Sequence, residues 1–336
     1  MRIAVDAVGG DHGAAVVVAG AVAGARRHGV GLVLTGPEEA VRAALVGADA
    51  AGVEVVVRDA PETIGMDEHP AQAVRRKPRS SIGVALEAVK AGEAGGMVSA
   101  GNSGAAMAAA LLVLGRIPGI DRPAIAAPLP SRRGRTLVLD LGAVTDPKPH
   151  HLVQFARMGT VYAREVLGVA APTVGLLANG EEATKGNLLV QETHLLLAAA
   201  EGIDFRGNVE GKDIPNGVVD VVVTDGFTGN VALKVAEGVA GFVGETIRAE
   251  ITGSPLRKLA AALLRPAFRA ARAKLDYAET GGAALLGVSG VVVIAHGRSN
   301  ETAIANAVGV AVRGARGDVA AEIAAALRSP ASGLGQ

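Results

Sequence analysis

Four short glycine-containing segments carry most of the polar residues that could do chemistry. They read DAVGGDH at 6–12, SAGNSG at 99–104, DGFTGN at 225–230 and HGRSN at 296–300. Glycine lets the backbone approach an anion closely, and a helix that opens after such a segment presents unpaired N–H groups to it. Each segment alone also fits an ordinary strand-to-helix turn. Together the four predict a site for a small anion, for which phosphate fits best.

Several common catalytic motifs are absent from the sequence. The chain has no G-x-G-x-x-G fingerprint, no nucleotide P-loop, no G-x-S-x-G nucleophile elbow and no H-E-x-x-H zinc motif. Its lack of cysteine excludes thiolate metal sites and a cysteinyl acyl-enzyme. We therefore expect no metal, no cofactor and no obvious protein nucleophile.

Composition excludes further classes of protein. The chain has 336 residues, of which 49% are hydrophobic and 20% charged, so it can bury a sizeable core and is not disordered. Lysine plus arginine equals aspartate plus glutamate at 33 each, which argues against a nucleic-acid partner. The first residues, MRIAVD, do not resemble a secretory signal, and we expect a cytoplasmic protein.

Alternating apolar runs predict the elements that must position these loops. Strands are predicted at 2–6, 31–35, 53–57, 95–99, 136–140, 173–178, 219–224 and 290–295, and helices at 13–28, 37–47, 80–91, 103–115, 149–167, 185–201 and 230–250. This alternation predicts an α/β protein with a mainly parallel sheet and helices on both faces, a three-layer α/β/α arrangement. The four loops should meet at the carboxyl edge of that sheet. The longest joint without predicted structure is 116–135.

The segment 251–276 differs from the rest of the chain. It carries six basic residues (Arg257, Lys258, Arg265, Arg269, Arg272 and Lys274) against one acid, Asp276, with leucines at 256, 259, 263 and 264 near helical spacing. Pro266 should kink or end its first helix. Such a segment fits a surface hairpin, a dimer contact or contact with an anionic membrane, and we favour the first two. Residues 329–336 are expected to form a flexible tail.

Long runs of the sequence resemble the bacterial acyl-carrier-protein:phosphate acyltransferases, the PlsX family. Besides the four segments above, the matching runs include MDEHPAQAVRRKPRSS at 66–81, KPHHLVQFARMG at 148–159 and GEEATKGN at 180–187. The resemblance extends from the first strand to about residue 325. Three residues depart from the family pattern: Val144 replaces a usual Asn, Pro147 a usual Cys and Asn179 a usual Ile.

The resemblance implies an activity and an architecture. A long-chain fatty acyl group would move from acyl carrier protein to inorganic phosphate, giving acyl phosphate that a membrane-bound glycerol-3-phosphate acyltransferase uses for phospholipid synthesis. The fold would be similar to that of isocitrate and isopropylmalate dehydrogenases. Residues 1–328 would form one catalytic unit of a homodimer, in which 234–276 make a protruding helical arm for dimerisation and membrane contact.

Phosphate is already an oxyanion and a thiolate leaves easily, so positioning and preorganised hydrogen bonds suffice for direct attack of phosphate on a thioester. We predict that Lys185 pairs with phosphate and that Asn102 and Ser103 hold phosphate or the carbonyl oxygen. Asp225 would orient Lys185 or an Asn amide. His296 would protonate the thiolate or bind phosphate. The further predicted substrate-binding residues are Asp6, Gly9, Gly10, Gly101, Gly104, Gly226, Asn230, Ser299 and Asn300.

Two basic runs would steer the acidic carrier protein to the enzyme. They are Arg132, Arg133 and Arg135, and Arg75, Arg76, Lys77 and Arg79. Three alternative functions stay open at this stage. They are a short-chain acyl-CoA:phosphate acyltransferase, an NAD-dependent decarboxylating dehydrogenase and a non-catalytic membrane-associated scaffold.

Overall fold

A single mixed sheet runs through the computed structural model, which describes residues 1–268 and 281–328 apart from the side chains of Leu256 and Leu259. The strands of the described residues are β1 (Arg2–Asp6), β2 (Gly31–Gly36), β3 (Val55–Asp59), β4 (Gly96–Ser99), β5 (Ala124–Ser131), β6 (Gly134–Leu139), β7 (Thr173–Leu177), β8 (Asp204–Val209), β9 (Val221–Val223), β10 (Ala283–Leu286) and β11 (Val291–Ile294). Their spatial order is β3-β2-β1-β4-β11-β10-β5-β6-β9-β7-β8.

Helices connect most of these strands. They are α1 (Gly13–His28), α2 (Glu38–Gly47), α3 (Pro70–Arg76), α4 (Ser81–Lys90), α5 (Ser103–Val113), α6 (Pro149–Glu165), α7 (Leu188–Ala198), α8 (Asp213–Asn216), α9 (Gly226–Thr252), α10 (Pro255–Leu263), α11 (Glu301–Arg316) and α12 (Val319–Arg328). Most of the strands and helices predicted from the sequence are present, with ends shifted by a few residues.

The sheet consists of two parallel halves that run in opposite directions. Strands β1 to β4 and β11 are mutually parallel, as are β6 to β9. Between the halves, β10 and β5 form three successive antiparallel pairings with their neighbours. The direction of the chain in the sheet therefore reverses between β11 and β6, so the carboxyl ends of the two halves do not lie along one edge.

Helices cover both faces of the sheet. One apolar cluster packs α1 and α11 against the first half, and α4 and α5 pack on the opposite face of that half. In the second half, α6 and α12 cover one face around Phe155 and Met158, and the start of α9 covers the other through Leu233. Ile3 and Ala4 enter different clusters because successive strand side chains point to opposite faces. The three-layer α/β/α prediction is thereby confirmed.

Three strands were not predicted from the sequence. Two of them, β5 (AIAAPLPS) and β10 (AALL), are the antiparallel strands that join the halves, and β8 lies at the edge of the sheet. Strand β5 lies within the joint 116–135 that was expected to lack structure. Its alanines and prolines have low strand propensity, and neighbours on both sides supply the pairing that the local sequence does not predict.

The helix α9 is anchored only at its first turns. Gly226 and Gly229 are buried, whereas almost every residue from Val235 to the end of α9 is exposed or half-buried. A protruding helix is thus present, and α10 follows it and ends at Leu263, before Pro266. The predicted arm residues 269–276, including Arg269, Arg272, Lys274 and Asp276, lie outside the described residues, as does the tail 329–336. No helix in the described ranges is long and apolar enough to cross a membrane.

Gly229 and Gly244, both in α9, make a matched pair for testing this anchor. A methyl group on Gly229 would overlap the backbone carbonyl oxygen of Asp140, whereas one on Gly244 would meet no atom within 4 Å. We expect Gly229→Ala to lower the free energy of unfolding by about 2–3 kcal/mol through overpacking. Gly244→Ala should raise it by roughly 0.5–1 kcal/mol, because alanine favours the helix. Urea denaturation of both variants measures the difference, and equal effects would contradict the described anchor.

Candidate active site

Three of the four sequence-predicted loops meet at the carboxyl ends of β1, β4 and β11. We call residues 6–13, 99–104 and 296–300 the first loop cluster. Ser99 Oγ donates a hydrogen bond of 2.7 Å to Asp6 Oδ2 and accepts one of 3.1 Å from Gly101 N. A methyl carbon at Gly9 would lie 2.5 Å from Asp6 Oδ2 and 2.7 Å from Gly101 N. Only glycine at position 9 lets the first two loops approach this closely.

Asp6 lies beneath these glycines as a buried acid. Its side chain is 1% exposed, and its Oδ1 is a buried oxygen with no hydrogen-bond partner among the described residues. Burial raises the pKa of the Asp6 carboxyl, an effect that hydrogen bonds from Ser99 and the neighbouring backbone oppose. Asp6 therefore helps to hold the loop 99–104 in place through its hydrogen bond with Ser99.

Asn102 caps α5 and holds a neighbouring loop. Its Oδ1 accepts a 3.0 Å hydrogen bond from Ala105 N. Its Nδ2 lies 3.1 Å from Gly65 O and within 3.4 Å of the carbonyl oxygens of Met66 and Glu68. The amide is therefore already used to fix residues 65–68 beside the start of α5. Its predicted role toward substrate stays a prediction.

The first two N–H groups of α5 remain available. Neither Ser103 N nor Gly104 N has an acceptor among the residues that the structure describes. This is the ordinary condition of a helix start, where the first N–H groups have no intrahelical partner. Ser103 itself is exposed, and Gly104 packs against Pro70 at the start of α3. The two N–H groups can accommodate an anion or a carbonyl oxygen.

The third loop contributes a histidine and a second helix cap. Asp11 N donates to Gly297 O over 2.8 Å, which joins this loop to the first, and Gly10 lies against the same carbonyl group. Ser299 is buried, with its N–H bound to His296 O. Asn300 Oδ1 caps α11 by accepting from Ala303 N over 2.9 Å.

His296 is biased toward its neutral form. Burial lowers the pKa of the imidazole, and the positive charges of Arg298 and Lys234 lower it further, while Glu237 and Asp11 oppose them. Arg298 N donates to His296 Nδ1 over 3.2 Å. The neutral ring therefore carries its proton on Nε2.

The second loop cluster comprises residues 140–148, 178–187 and 225–230, after β6, β7 and β9. Sequence reasoning did not single out Asp140, whose side chain is fully buried. Asp140 Oδ1 accepts hydrogen bonds from the N–H groups of Ile125, Gly142 and Ala143, and Oδ2 accepts a 2.7 Å bond from Val144 N. Burial raises the pKa of the Asp140 carboxyl, and the hydrogen bonds from these four N–H groups partly oppose the rise. The signal that could have found it is an acid placed, like Asp6, at the end of an apolar strand.

The predicted residues around 225–230 dock the start of α9 on this loop. Asp225 caps the helix, since its Oδ1 accepts from Thr228 N over 2.8 Å and its Oδ2 from Thr228 Oγ1 over 2.7 Å. Gly226 N donates to Val144 O, and Asn230 Nδ2 donates to Leu141 O. Val144 therefore contributes through its backbone, which explains why the departure from the family's Asn leaves this contact intact.

Lys185 lies in a loop that two amides close. Asn179 Oδ1 accepts from Gly186 N over 2.9 Å, so a second departure from the family pattern has a structural role. Asn208 Nδ2 donates to Glu182 O over 2.9 Å. The helix α7 begins only at Leu188, so Lys185 precedes it and does not open it as predicted. The exposed Lys185 ammonium has no ion pair within the described ranges.

The prediction that all four loops share one sheet edge differs from the structure. The loop 225–230 follows a strand of the reversed half, and α9 then runs back toward the first cluster. Lys234, which is ion-paired with Glu237 over 2.9 Å, lies close enough to act on the pKa of His296. The first three turns of α9 thus bridge the two clusters.

Two groups of side chains near the second cluster have a spacing typical of metal ligands. One contains an acid and two histidines, and the other contains three acids. Asp121, His150 and His151 line a cleft of about 780 Å³ at the start of α6, together with Arg116, Arg122 and Lys148. Asp121 Oδ2 lies 3.3 Å from His150 Nε2. The other group, Glu181, Glu210 and Asp213, has the Lys212 ammonium beside it as a counter-charge. Both groups have charge partners within the chain, and neither joins the predicted loops.

Comparison with known proteins defines the class. The fold is similar to that of a phosphotransacetylase from Streptococcus pyogenes, with a TM-score of 0.64 and 18% identity over 95% of this chain and 94% of that one. It is also similar to a 4-hydroxythreonine-4-phosphate dehydrogenase from Burkholderia phymatum, with a TM-score of 0.51 and 16% identity over 93% and 98% of the two chains. These likenesses show a shared α/β fold.

Sequence relatives are much nearer. A phosphate acyltransferase from Geobacter sulfurreducens is 54% identical over 308 residues, which are 92% of this chain and 89% of the relative. One from Desulfitobacterium hafniense strain Y51 is 52% identical over 312 residues, 93% of this chain and 92% of the relative. The protein is accordingly an enzyme of the acyltransferase class.

The family model described as fatty acid synthesis protein matches residues 1–322. The chain belongs to this family, the PlsX family of phosphate acyltransferases.

The proximity of α9 to the first loop cluster can be tested through the His296 imidazole. Burial and then nearby cations lower its pKa, so its NMR titration should have a midpoint below 6.5. Lys234→Met removes one of those cations and should raise the midpoint. Glu237→Gln removes a stabilising anion and should lower it. A midpoint that neither substitution moves would mean that α9 does not meet the loop 296–300 in solution.

Proposed function

We propose that the protein transfers a long-chain acyl group from acyl carrier protein to inorganic phosphate, by direct attack of phosphate on the thioester. Phosphate oxygen bonds to the thioester carbonyl carbon, the carbon–sulfur bond breaks, and the carrier thiolate leaves. The products are acyl phosphate, for use in phospholipid synthesis, and free carrier protein. Because phosphate is itself the nucleophile, no covalent intermediate on the protein is needed.

The observation that carries this proposal is the pair of free N–H groups at the start of α5. Ser103 N and Gly104 N lie in a first turn that Asn102 caps and that follows the loop in which Gly101 N donates to Ser99 Oγ. Negative charge develops on the carbonyl oxygen as phosphate attacks, and preorganised donors stabilise it most effectively. We assign the role first given to the Asn102 side chain to these backbone groups, with Asn102 holding them in place.

Lys185 and His296 have complementary roles in the proposal. Lys185 supplies a permanent positive charge that is not neutralised by a described acid, as a phosphate partner requires. The neutral His296 donates a hydrogen bond through Nε2 to an oxygen of phosphate or of the thioester. With its pKa lowered, the imidazole is a poor proton source, so we assign protonation of the departing thiolate to water.

The carrier protein would dock beside α3. Arg75 and Arg76 are exposed at the end of that helix and have no ion pair in the described part of the chain, while Lys77 is paired with Glu68 and Arg79 with Asp59. The start of α3 packs on Gly104 at the first loop cluster. These two cations, at the opposite end of this seven-residue helix from the proposed oxyanion site, suit an acidic partner whose thioester must reach that site.

The exposed part of α9 would form the dimer contact. Val235, Val239, Phe242, Val243 and Ile247 recur at helical spacing and are each 46–69% exposed. The same helix carries both bases and acids (Lys234, Arg248, Glu237, Glu245 and Glu250), which suits pairing with a second copy of the chain. The following segment exposes Leu263 and Leu264 beside Arg257, Lys258 and Arg265, and we assign contact with an anionic membrane to it.

Trapping acyl phosphate with hydroxylamine tests the reaction. The enzyme with phosphate and palmitoyl carrier protein should yield palmitoyl hydroxamate, and omission of phosphate should abolish the product. A higher rate with acetyl-CoA would support the short-chain alternative, and no product with any donor would support a scaffold. A dehydrogenase would instead reduce NAD. Recovery of a fatty ester on a protein side chain during turnover would refute direct attack.

The same assay isolates the role of Lys185. Replacement by Met removes the phosphate partner while leaving the loop's amide contacts, so we expect the phosphate KM to rise at least tenfold and the donor KM to change little. Lys90→Met, at the end of α4, serves as a control that removes the same charge elsewhere. An unchanged phosphate KM in the Lys185 variant would remove this residue from the site.

The dimer contact can be tested by one substitution in the apolar stripe. Phe242 is 69% exposed, so Phe242→Asp should leave the fold intact and convert the dimer to a monomer through an unpaired charge in the interface. Val46→Asp, at an 89% exposed position on α2, is the matched control and should not change the mass. Light scattering after size exclusion gives the answer, and a wild-type monomer would contradict the proposal.

A further inference from the structure

Several helices and strands have one end at a loop cluster. A basic cleft opens at the opposite ends of these elements. Its volume is about 530 Å³, within the range of small-molecule sites. Its charged and polar lining residues are Arg27, His28, Arg133, Arg135, Asp220, Asn306 and Arg313. We call it the distal basic cleft. The function proposed above does not use it.

Few acidic side chains of the protein neutralise the arginines of this cleft. Arg133, Arg135 and Arg313 form no ion pair with the described part of the chain, and Arg27 donates only to the neutral amide of Asn306, over 3.0 Å. The one lining acid, Asp220, accepts hydrogen bonds from Thr173 N and Thr173 Oγ1 over 2.9 and 2.7 Å.

The positive field of the cleft extends to its neighbours. Burial lowers the pKa of His28, and Arg313, Arg27 and Arg316 lower it further. Arg313 and Arg135 also both act on the buried Tyr162 hydroxyl, whose pKa burial raises to about 12. Like charges held together in this way repel one another, and an anion that enters the cleft relieves that repulsion.

The cleft is separate from the active site. Helix α1 starts in the first loop cluster and reaches Arg27 and His28 at its other end, about 22 Å away at 1.5 Å per residue. Strand β6 starts near Arg135 and ends at Asp140 in the second cluster, roughly 17 Å away. Helix α11 similarly joins the loop 296–300 to Arg313. An occupant of the cleft would therefore touch the far ends of three elements that carry the catalytic loops.

We propose that the distal basic cleft binds a small molecule with two or more phosphate groups. Four guanidinium groups suit such a ligand, because the planar fork of arginine pairs bidentately with phosphate oxygens. The concave shape and size of the cleft favour a compact polyanion over the broad surface of a carrier protein. For that reason we assign Arg133 and Arg135 to this site, and they leave carrier docking to Arg75 and Arg76.

Calorimetric titration with inorganic pyrophosphate and with ATP tests the proposal. The variant Arg135→Gln/Arg313→Gln should bind both probes at least tenfold more weakly than the wild type. The control Arg75→Gln/Arg76→Gln removes the same charge elsewhere and should bind them as the wild type does. Orthophosphate, with fewer charges, should bind the cleft at least tenfold more weakly than pyrophosphate. Equal losses in both variants, or no pyrophosphate binding to the wild type, would overturn the proposal.

Thermal unfolding supplies a second measurement. The proposal predicts a rise in the melting temperature of the variant, whereas a purely structural role of the arginines would predict a fall. Without ligand, the cleft variant should melt above the wild type, because repulsion is removed. Pyrophosphate should raise the melting temperature of the wild type and not that of the variant. A variant that melts lower and still responds to pyrophosphate would contradict the proposal.

Kinetics separate this inference from the proposed function. The cleft variant should keep the wild-type kcat and carrier-protein KM in acyl phosphate formation without added polyanion. A tenfold rise in its carrier-protein KM would assign the cleft to carrier docking and refute the small-ligand site. Failure of acyl phosphate formation in the wild type would refute the proposed function and leave the binding measurements unaffected.

Discussion

The buried carboxylate of Asp140 is the contact on which much of the second half depends. It accepts four backbone N–H groups, one from the start of β5 and three from the loop that follows β6. That loop in turn receives Gly226 N and the Asn230 amide, so it fixes the first turn of α9. The four hydrogen bonds offset the free-energy cost of burying the carboxylate. Removing the carboxylate would leave all four N–H groups without an acceptor.

The position of α9 then sets the geometry of the whole site. Because the sheet reverses direction between its halves, the two loop clusters follow strands that run in opposite directions. The helix starts in the second cluster and carries Lys234 and Glu237 to His296 in the first. The same helix continues beyond the body of the protein as the arm proposed to hold a second copy. In our proposal, the anchored first turn of α9 therefore links the candidate active site to the dimer contact.

Several polar residues of the loops form hydrogen bonds within the chain, and in our proposal substrate binding is left to backbone N–H groups. Asn102, Asp225 and Asn300 each accept an N–H group three residues further along the chain, which is the behaviour of helix caps. Capping and ligand binding are physically compatible, because a capped helix presents its remaining N–H groups in a fixed direction. In a sequence, Asn and Asp at such positions fit either a helix cap or a ligand-binding residue. Only their hydrogen-bond partners in the structure distinguish the two roles.

The sequence by itself determined the alternation of buried strands and helices and the family, because these follow from local hydrophobicity and contiguous motifs. It did not determine strand β5, with its alanines and prolines, or the short β10, both of which pair only because neighbouring strands are present. It also did not determine Asp140, the division of the loops into two clusters or the distal basic cleft. These depend on residues far apart in the chain that meet only after the sheet reverses, and no local pattern encodes that reversal.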